Sequence, residues 1–316
     1  MNLLFGFHMP NYTFPGVEPD GLFGRVVDNA KAAEAAGFDL VTVMDHFYQI
    51  RGVGPETDPM LEAYTTLAAL AAQTSRVKLA TLVSGVTYRN PAVVAKLVTT
   101  LDVISRGRAM LGIGAAWNES EHAGYGFEFP PIGERMDRLD EALTIIKLMF
   151  TEERPSFEGK HYKIHDALNS PRPVQKGGPK IMIGGTGEKR TLRLLARHGD
   201  IGHWFGAGLD EIKRKKEIFE RHCETEGRDP ATVLLTMGAT VVLVENDRDA
   251  KAVLDQIPAE RRAMVIAATP MQAAETLGQY VKVGIGGFTL SNQTLRTPEA
   301  IGLGGELIRL MRGSSR

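Results

Sequence analysis

The residues of this chain that could perform chemistry stand directly after short apolar segments. Asp45 and His46 follow the apolar run 38–44. An imidazole at that position could donate a hydrogen bond or a proton to a bound substrate or cofactor, because its ordinary pKa lies near neutral pH. The alternative is a loop histidine whose ring is satisfied by backbone groups.

A second set of candidates follows the apolar run 108–114. Ala115 and Ala116 are small enough to let a flat ligand approach the backbone. The next polar and aromatic residues are Trp117, Glu119, Glu121 and His122. Carboxylates here could serve acid–base catalysis, but glutamates in a first helical turn also offset the helix dipole, and this explanation is the stronger one for Glu119. The catalytic candidates of the chain are His46, Trp117 and Glu121.

Two further apolar runs end in small residues. Gly184, Gly185 and Thr186 precede a predicted helix, and free N–H groups at such a start can cradle a phosphate. The pattern is neither a Walker loop nor a dinucleotide fingerprint, and a simple turn is the alternative. At Ser84 and Gly85 a bulge beside a ligand competes with a plain strand end, which the composition alone favours.

Metal and nucleophilic sites are not indicated. Cys223 is the only cysteine, so neither an intrachain disulfide nor a cysteine metal cluster can form. No spacing of His, Asp and Glu predicts a metal site, and no Ser/His/Asp set is recognisable. We therefore predict no bound metal.

Strand and helix patterns alternate along almost the whole chain. The predicted strands cover residues 3–8, 38–44, 77–83, 108–114, 180–183, 200–205, 233–244 and 287–291. Eight strands alternating with about eight helices predict an α/β fold, a single (β/α)8 TIM barrel over residues 1–316. Insertions are expected after strands 2 and 4 and before strand 5, where residues 152–179 form an excursion with a small hairpin. In such a barrel the active site lies at the carboxyl ends of the strands.

The composition narrows the range of partners. Lysine and arginine number 37 against 38 acidic residues among 316, a net charge of −1, which argues against a nucleic-acid or membrane-surface partner. The N-terminus lacks the basic and apolar regions of a signal peptide, and no apolar stretch approaches the roughly 20 residues of a transmembrane helix. We expect a cytoplasmic protein.

The motifs and their order resemble the bacterial luciferase-like monooxygenase superfamily, in its branch that depends on the deazaflavin coenzyme F420. The resemblance covers nearly the whole chain. It is carried by residues 32–39, 45–47, 105–108, 111–114, 117–119, 134–135, 139–143, 171–175, 183–185, 268–270 and 283–288.

The resemblance implies that a flavin or deazaflavin lies across the strand ends, with a non-prolyl cis peptide at Ser84–Gly85 behind its ring. It also implies a phosphate cradle at Gly184, Gly185 and Thr186, and places Asp45 and His46 at the cofactor. Ala115, Ala116 and Trp117 would line the ring and the substrate space. Some deazaflavin dehydrogenases of the superfamily have a Glu where Trp117 stands, which puts sugar-phosphate dehydrogenation in doubt.

The resemblance implies hydride transfer between coenzyme F420 and a small organic substrate. The alternative is an FMN-dependent monooxygenase that takes reduced flavin from a separate reductase, and a third hypothesis is a non-catalytic flavin-binding barrel. The resemblance also implies a homodimer.

Overall fold

A computed structural model describes residues 3–206, 208–262 and 264–313. Its strands are β1 (Leu4–Met9), β2 (Leu40–Val43), β3 (Lys78–Thr81), β4 (Ser84–Gly85), β5 (Met110–Gly114), β6 (Phe157–Glu158), β7 (Lys163–Ile164), β8 (Lys180–Gly184), β9 (Ile201–Trp204), β10 (Leu234–Gly238), β11 (Thr240–Leu243), β12 (Val265–Ala268) and β13 (Gly287–Ser291). Its α-helices are α1 (Leu22–Ala36), α2 (Ala63–Gln73), α3 (Pro91–Ser105), α4 (Glu119–Tyr125), α5 (Ile132–Thr151), α6 (Thr191–His198), α7 (Leu209–Glu226), α8 (Asp247–Gln256), α9 (Ala259–Arg262), α10 (Pro270–Lys282) and α11 (Pro298–Gly313).

The main sheet is parallel and closes on itself. Its strand order is β3-β2-β1-β13-β10-β9-β8-β5-β4, and a parallel bridge between Leu79 and Ala109 joins β3 to the segment before β5. Because β3 and β4 together occupy one position, the ring has eight positions, and the predicted (β/α)8 barrel is confirmed. Between β5 and β8, β6 and β7 form a short antiparallel pair within the excursion 152–179.

Local sequence signals place the helices around this ring. The Asn90 side chain accepts the backbone N–H of Ala92 at 2.9 Å and caps α3, whose first residue is Pro91. Helix α1 is followed by Gly37, whose φ of 98° is a backbone conformation that residues other than glycine rarely adopt. Among the described residues, no helix is both long and apolar enough to span a bilayer.

The barrel interior changes character along its axis. Near the amino ends of the strands, inward side chains form an apolar plug of Leu40, Ala80, Leu82, Met110, Met182 and Ile201. Two residues further along, the inward positions are held by His8, Thr42, Gly112, Gly184, His203 and Thr236, because successive strand residues face opposite sides. The larger apolar cluster fills the space between the strands and the helices. The interior at the carboxyl end of the barrel is therefore lined by polar and small residues.

Two predictions were wrong in detail. The strand predicted at 233–244 is interrupted after Gly238: β10 stays in the barrel, whereas β11 leaves it and pairs with β12 in a separate two-stranded sheet. The non-prolyl cis peptide lies at Leu82–Val83 and not at Ser84–Gly85. The reason is that the strand breaks between β3 and β4, so the irregular peptide falls inside that break.

Candidate active site

His46 is held by a buried carboxylate from a distant part of the chain. Its Nδ1 lies 2.7 Å from Glu121 Oε2, and the Glu121 side chain is fully buried. His46 follows the end of β2, and Glu121 lies in the first turn of α4, which follows β5. The two catalytic candidates that sequence reasoning proposed separately therefore form one pair.

Glu121 accepts three further hydrogen bonds. The backbone N–H groups of Phe47 and Tyr48 bond to Oε1, the latter at 3.1 Å, and the Tyr88 hydroxyl donates to Oε2 at 2.8 Å. Burial alone would raise the pKa of Glu121, but the bonds from His46 and the two backbone N–H groups outweigh it and lower that pKa below its ordinary value. Glu121 is therefore an ionised acceptor at neutral pH.

An ionised Glu121 determines the tautomer of His46. A carboxylate can only accept, so Nδ1 of His46 must carry the proton of the shared bond. In the neutral ring Nε2 is then an acceptor, and no described residue bonds to it. The bond at Nδ1 therefore leaves Nε2 available to a ligand.

Asp45 is bound in a second ion pair beside the first. Its two oxygens accept hydrogen bonds from Arg89 at 2.7 and 3.0 Å, and Arg89 also bonds to Glu62 at 2.7 Å. The Arg89 guanidinium lies over the Tyr64 ring, 5.0 Å from its centroid. Asp45 thus anchors the loop that carries His46, and its predicted contact with a cofactor stays a prediction.

Trp117 lies at the surface beside His46. Its side chain is 59% exposed, and its ring meets the His46 ring edge-on at a centroid distance of 5.6 Å. Arg135 donates to the carbonyl oxygens of Ala115, at 3.2 Å, and of Ala116, which has a positive φ of 60°. The segment before Trp117 is therefore held by its backbone, which leaves its small side chains free to border a ligand.

The glycines at the strand ends make room for Val83 as well as for a ligand. A Cβ atom on Gly114 or Gly184 would stand 3.2 or 3.0 Å from the Val83 side chain. A Cβ on Gly85 would lie 2.8 Å from the Tyr88 ring. The Ser84 hydroxyl shares a 2.9 Å hydrogen bond with that of Tyr64. The glycines therefore accommodate the side chains of Val83 and Tyr88, and the bond to Tyr64 fixes the Ser84 hydroxyl.

The proposed phosphate cradle is only partly available. The N–H of Gly185 already donates to His203 O at 3.0 Å, while Gly184 and Thr186 remain half-buried. Lys215 donates to Thr186 O at 3.1 Å and to Glu188 at 2.7 Å. The loop therefore presents small residues next to a cation that Glu188 holds in place.

Sequence reasoning missed two histidines inside the barrel mouth. Nδ1 of His8 lies 2.9 Å from Thr42 Oγ1, and Nδ1 of His203 lies 3.0 Å from Thr236 Oγ1. Burial lowers the pKa of both, to about 3 for His8, helped by nearby His203, and to about 4 for His203. The available signal was strand alternation, which places His8 on the same side as Leu4 and His203 on the same side as Ile201.

The chain matches one known protein family over most of its length. The sequence model of the luciferase-like monooxygenase family matches residues 4–297. The chain therefore belongs to the luciferase-like monooxygenase family, and it is an enzyme.

The relatives of this chain include both F420-dependent dehydrogenases and a monooxygenase. The chain is 34% identical to an F420-dependent glucose-6-phosphate dehydrogenase of Kineococcus radiotolerans, over 83% of this chain and 85% of that protein. It is 33% identical to the pyrimidine monooxygenase RutA of Agrobacterium fabrum, over 70% of this chain and 60% of that protein. A solved structure of an F420-dependent secondary alcohol dehydrogenase in complex with an F420-acetone adduct has the same fold, with a TM-score of 0.83 and 20% identity, over 99% of this chain and 100% of that one.

Proposed function

We propose that this enzyme transfers a hydride between coenzyme F420 and a small alcohol or carbonyl compound. The observation that carries the proposal is the His46–Glu121 pair at the strand ends, which leaves Nε2 of His46 as an acceptor for a proton. The relatives named as F420-dependent dehydrogenases support the cofactor. Hydride chemistry belongs to the cofactor, and the protein contributes orientation and proton handling.

The residues at the strand ends fit a flat, phosphate-bearing cofactor. Gly114 and Gly184, where a Cβ would stand 3.2 and 3.0 Å from Val83, carry no side chain that would obstruct such a ring. Gly184 and Thr186 would lie nearest the phosphate, with Lys215 behind them. A bound deazaflavin would supply the hydride acceptor or donor.

His46 would handle the proton of the substrate hydroxyl. In the oxidising direction Nε2 accepts the O–H proton as the carbon–oxygen double bond forms, while the electron pair of the carbinol C–H bond leaves with its hydrogen as hydride. Glu121, ionised behind the ring, stabilises the imidazolium that results. In the reducing direction the same imidazolium returns the proton to the carbonyl oxygen.

A reconstitution experiment tests the proposal. We expect saturable binding of F420, followed by its absorbance and fluorescence, and no saturable binding of FMN. His46→Ala should lower F420-dependent turnover by about 10²–10⁴-fold, whereas His165→Ala, a substitution at an exposed histidine in the excursion, should leave it unchanged. Binding of FMN alone, or turnover that His46→Ala leaves unchanged, would contradict the proposal.

The second candidate function is an FMN-dependent monooxygenase. It is favoured by the pyrimidine monooxygenase relative, whose similarity to this chain is close to that of the dehydrogenases. Oxygen consumption with reduced FMN, supplied by a separate reductase, would establish it, because deazaflavins do not readily activate oxygen.

We also propose a homodimer, as the resemblance in sequence implies. Light scattering coupled to size-exclusion chromatography tests this directly, since a mass near 34.5 kDa would indicate a monomer and twice that value a dimer.

A further inference from the structure

Two aromatic rings contact histidines at the mouth of the barrel. Trp117 meets His46 at 5.6 Å, and Phe205 meets His203 edge-on at 5.8 Å. Burial lowers the pKa of His8, and His203 and His46 both lower it further by acting on it electrostatically. The two aromatic rings are exposed: Trp117 is 59% and Phe205 63% accessible. Large aromatic rings left in the open beside a catalytic pair suit the apolar part of a ligand.

The His8 and His203 rings are neutral hydrogen-bonding groups. The Thr236 hydroxyl donates to Gly202 O at 3.0 Å, so it accepts the Nδ1–H of His203 and leaves Nε2 of that ring as an acceptor. Because burial lowers the pKa of His8 and of His203 well below 7, neither ring offers a positive charge at neutral pH. They can bind a hydroxyl, but they cannot neutralise a phosphate or a carboxylate.

The cations that contact the strand ends already have partners. Arg89 is bonded to Asp45 and Glu62, both carboxylates. Arg135 is bonded to three backbone carbonyl groups, and Lys215 to a carbonyl and a carboxylate. Recruiting any of them to an anionic substrate would leave a buried or half-buried acceptor without its donor, which costs stability.

Three exposed cations remain on the described loops at these strand ends, and one of them is Arg296, after β13, which donates to Gln293 O at 2.8 Å. Arg51 lies in the loop after β2, and Lys189 follows the glycine loop where the cofactor phosphate is proposed to bind. Exposed charges are screened by water and salt, so their attraction for an anion is weak. The ionised Glu121 behind His46 acts in the opposite sense and disfavours an anion at the reacting end.

From these contacts we infer that the substrate is an uncharged alcohol, or the matching carbonyl compound, whose apolar part lies between Trp117 and Phe205. The inference rests on the proposed function and specifies its substrate class. It separates this chain from the glucose-6-phosphate dehydrogenases to which it is similar, since their named substrate is a dianion.

A binding experiment without cofactor tests the charge preference by itself. Benzyl alcohol and benzoate share a ring and differ in charge, and both can be titrated into the cofactor-free protein while its tryptophan fluorescence is followed. Trp117→Phe identifies the signal of the exposed tryptophan, since Trp204 is fully buried. We expect benzoate to bind at least tenfold more weakly. Equal or tighter binding of benzoate, or no binding of benzyl alcohol, would overturn the inference.

A turnover experiment with F420 tests the same preference during reaction. Cyclohexanol should be oxidised with a kcat/KM at least 100-fold above that of glucose 6-phosphate. Phe205→Arg places a cation at the mouth and should shift this ratio toward the phosphate by tenfold or more, whereas Arg51→Gln should leave it unchanged. A preference for glucose 6-phosphate that Arg51→Gln removes would overturn the inference. Failure to bind F420 would contradict the proposed function only, because the cofactor-free titration decides the substrate charge.

Discussion

The histidines at the mouth of the barrel bond to two different kinds of partner, a carboxylate or a hydroxyl. On the β2 and β5 side, His46 bonds to the carboxylate of Glu121, next to the Asp45–Arg89 ion pair. His8 on β1 and His203 on β9, by contrast, bond to threonine hydroxyls of the adjacent strands, Thr42 on β2 and Thr236 on β10. A carboxylate partner stabilises the charged imidazolium, whereas a buried hydroxyl offers no such compensation. In the proposed reaction we therefore expect the His46–Glu121 pair to exchange protons and the two threonine-bonded histidines to orient ligands.

This difference shows how one residue type acquires two roles within a single pocket. The strand scaffold places all three rings at the carboxyl end of the barrel, and the partner on the Nδ1 side then decides what each ring can do. Substitutions at His46 and its neighbours, and at His203, test this difference.

The largest effect on turnover is expected at the His46–Glu121 pair. His46→Ala should lower kcat for F420-dependent turnover by about 10²–10⁴-fold, the usual contribution of a general acid or base. The fold should persist, because Glu121 keeps its bonds from Tyr88 and the backbone. Steady-state kinetics and circular dichroism check both statements. An unchanged kcat would remove His46 from the reaction.

Breaking the neighbouring ion pair should affect stability. Arg89→Met leaves the buried Asp45 carboxylate without its cation, which should cost about 3–5 kcal/mol of unfolding free energy. Arg154→Met removes an exposed pair with Asp166 and should cost less than about 1 kcal/mol. Urea unfolding measures both. Similar values for the two variants would show that the Asp45 pair is not specially placed.

The buried His203 should make the unfolding free energy fall at acid pH. Because burial lowers the pKa of His203 from 6.5 to about 4, the unfolded chain binds a proton in this range that the folded chain does not. The stability is therefore fully present above pH 6.5 and is lost as the pH falls toward 4, by roughly 3 kcal/mol for this residue. His203→Gln should flatten the pH dependence of the unfolding free energy relative to the wild type and to His165→Gln. An identical slope in all three proteins would contradict the assignment.

The smallest effect is expected at the surface ring. Trp117→Ala removes an exposed side chain that touches His46 by its edge, an interaction worth about 0.5–1.5 kcal/mol. We expect kcat/KM to fall by roughly three- to tenfold, with the unfolding free energy nearly unchanged. A loss as large as that of His46→Ala would assign Trp117 a direct chemical role.

The barrel could be predicted because its signals are local. Apolar runs mark the strands, and Asn90 with Pro91 or a terminal Gly37 marks helix ends, so the alternation is visible without any long-range information. The break after Gly238 was missed because β11 is as apolar as a barrel strand. Its departure depends on pairing with β12, a partner 25 residues further along that no local pattern indicates.

The site could be predicted only as separate residues. His46 and Glu121 stand out because they follow strands, but their shared bond depends on how far α4 folds back toward β2. His8 and His203 went unnoticed, since a histidine within an apolar run resembles a core position until the inward face of the strand is known. The position of the cis peptide depended in turn on where β3 ends.

The bond between His46 and Glu121 also bears on the order in which the molecule folds. It joins residues 75 positions apart, across α2, β3, β4, α3 and β5. Closing so long a loop is entropically costly and is offset only when the intervening strands have paired. Recovery of turnover during refolding should therefore lag behind recovery of helix content, so that activity reports completion of the first half of the ring.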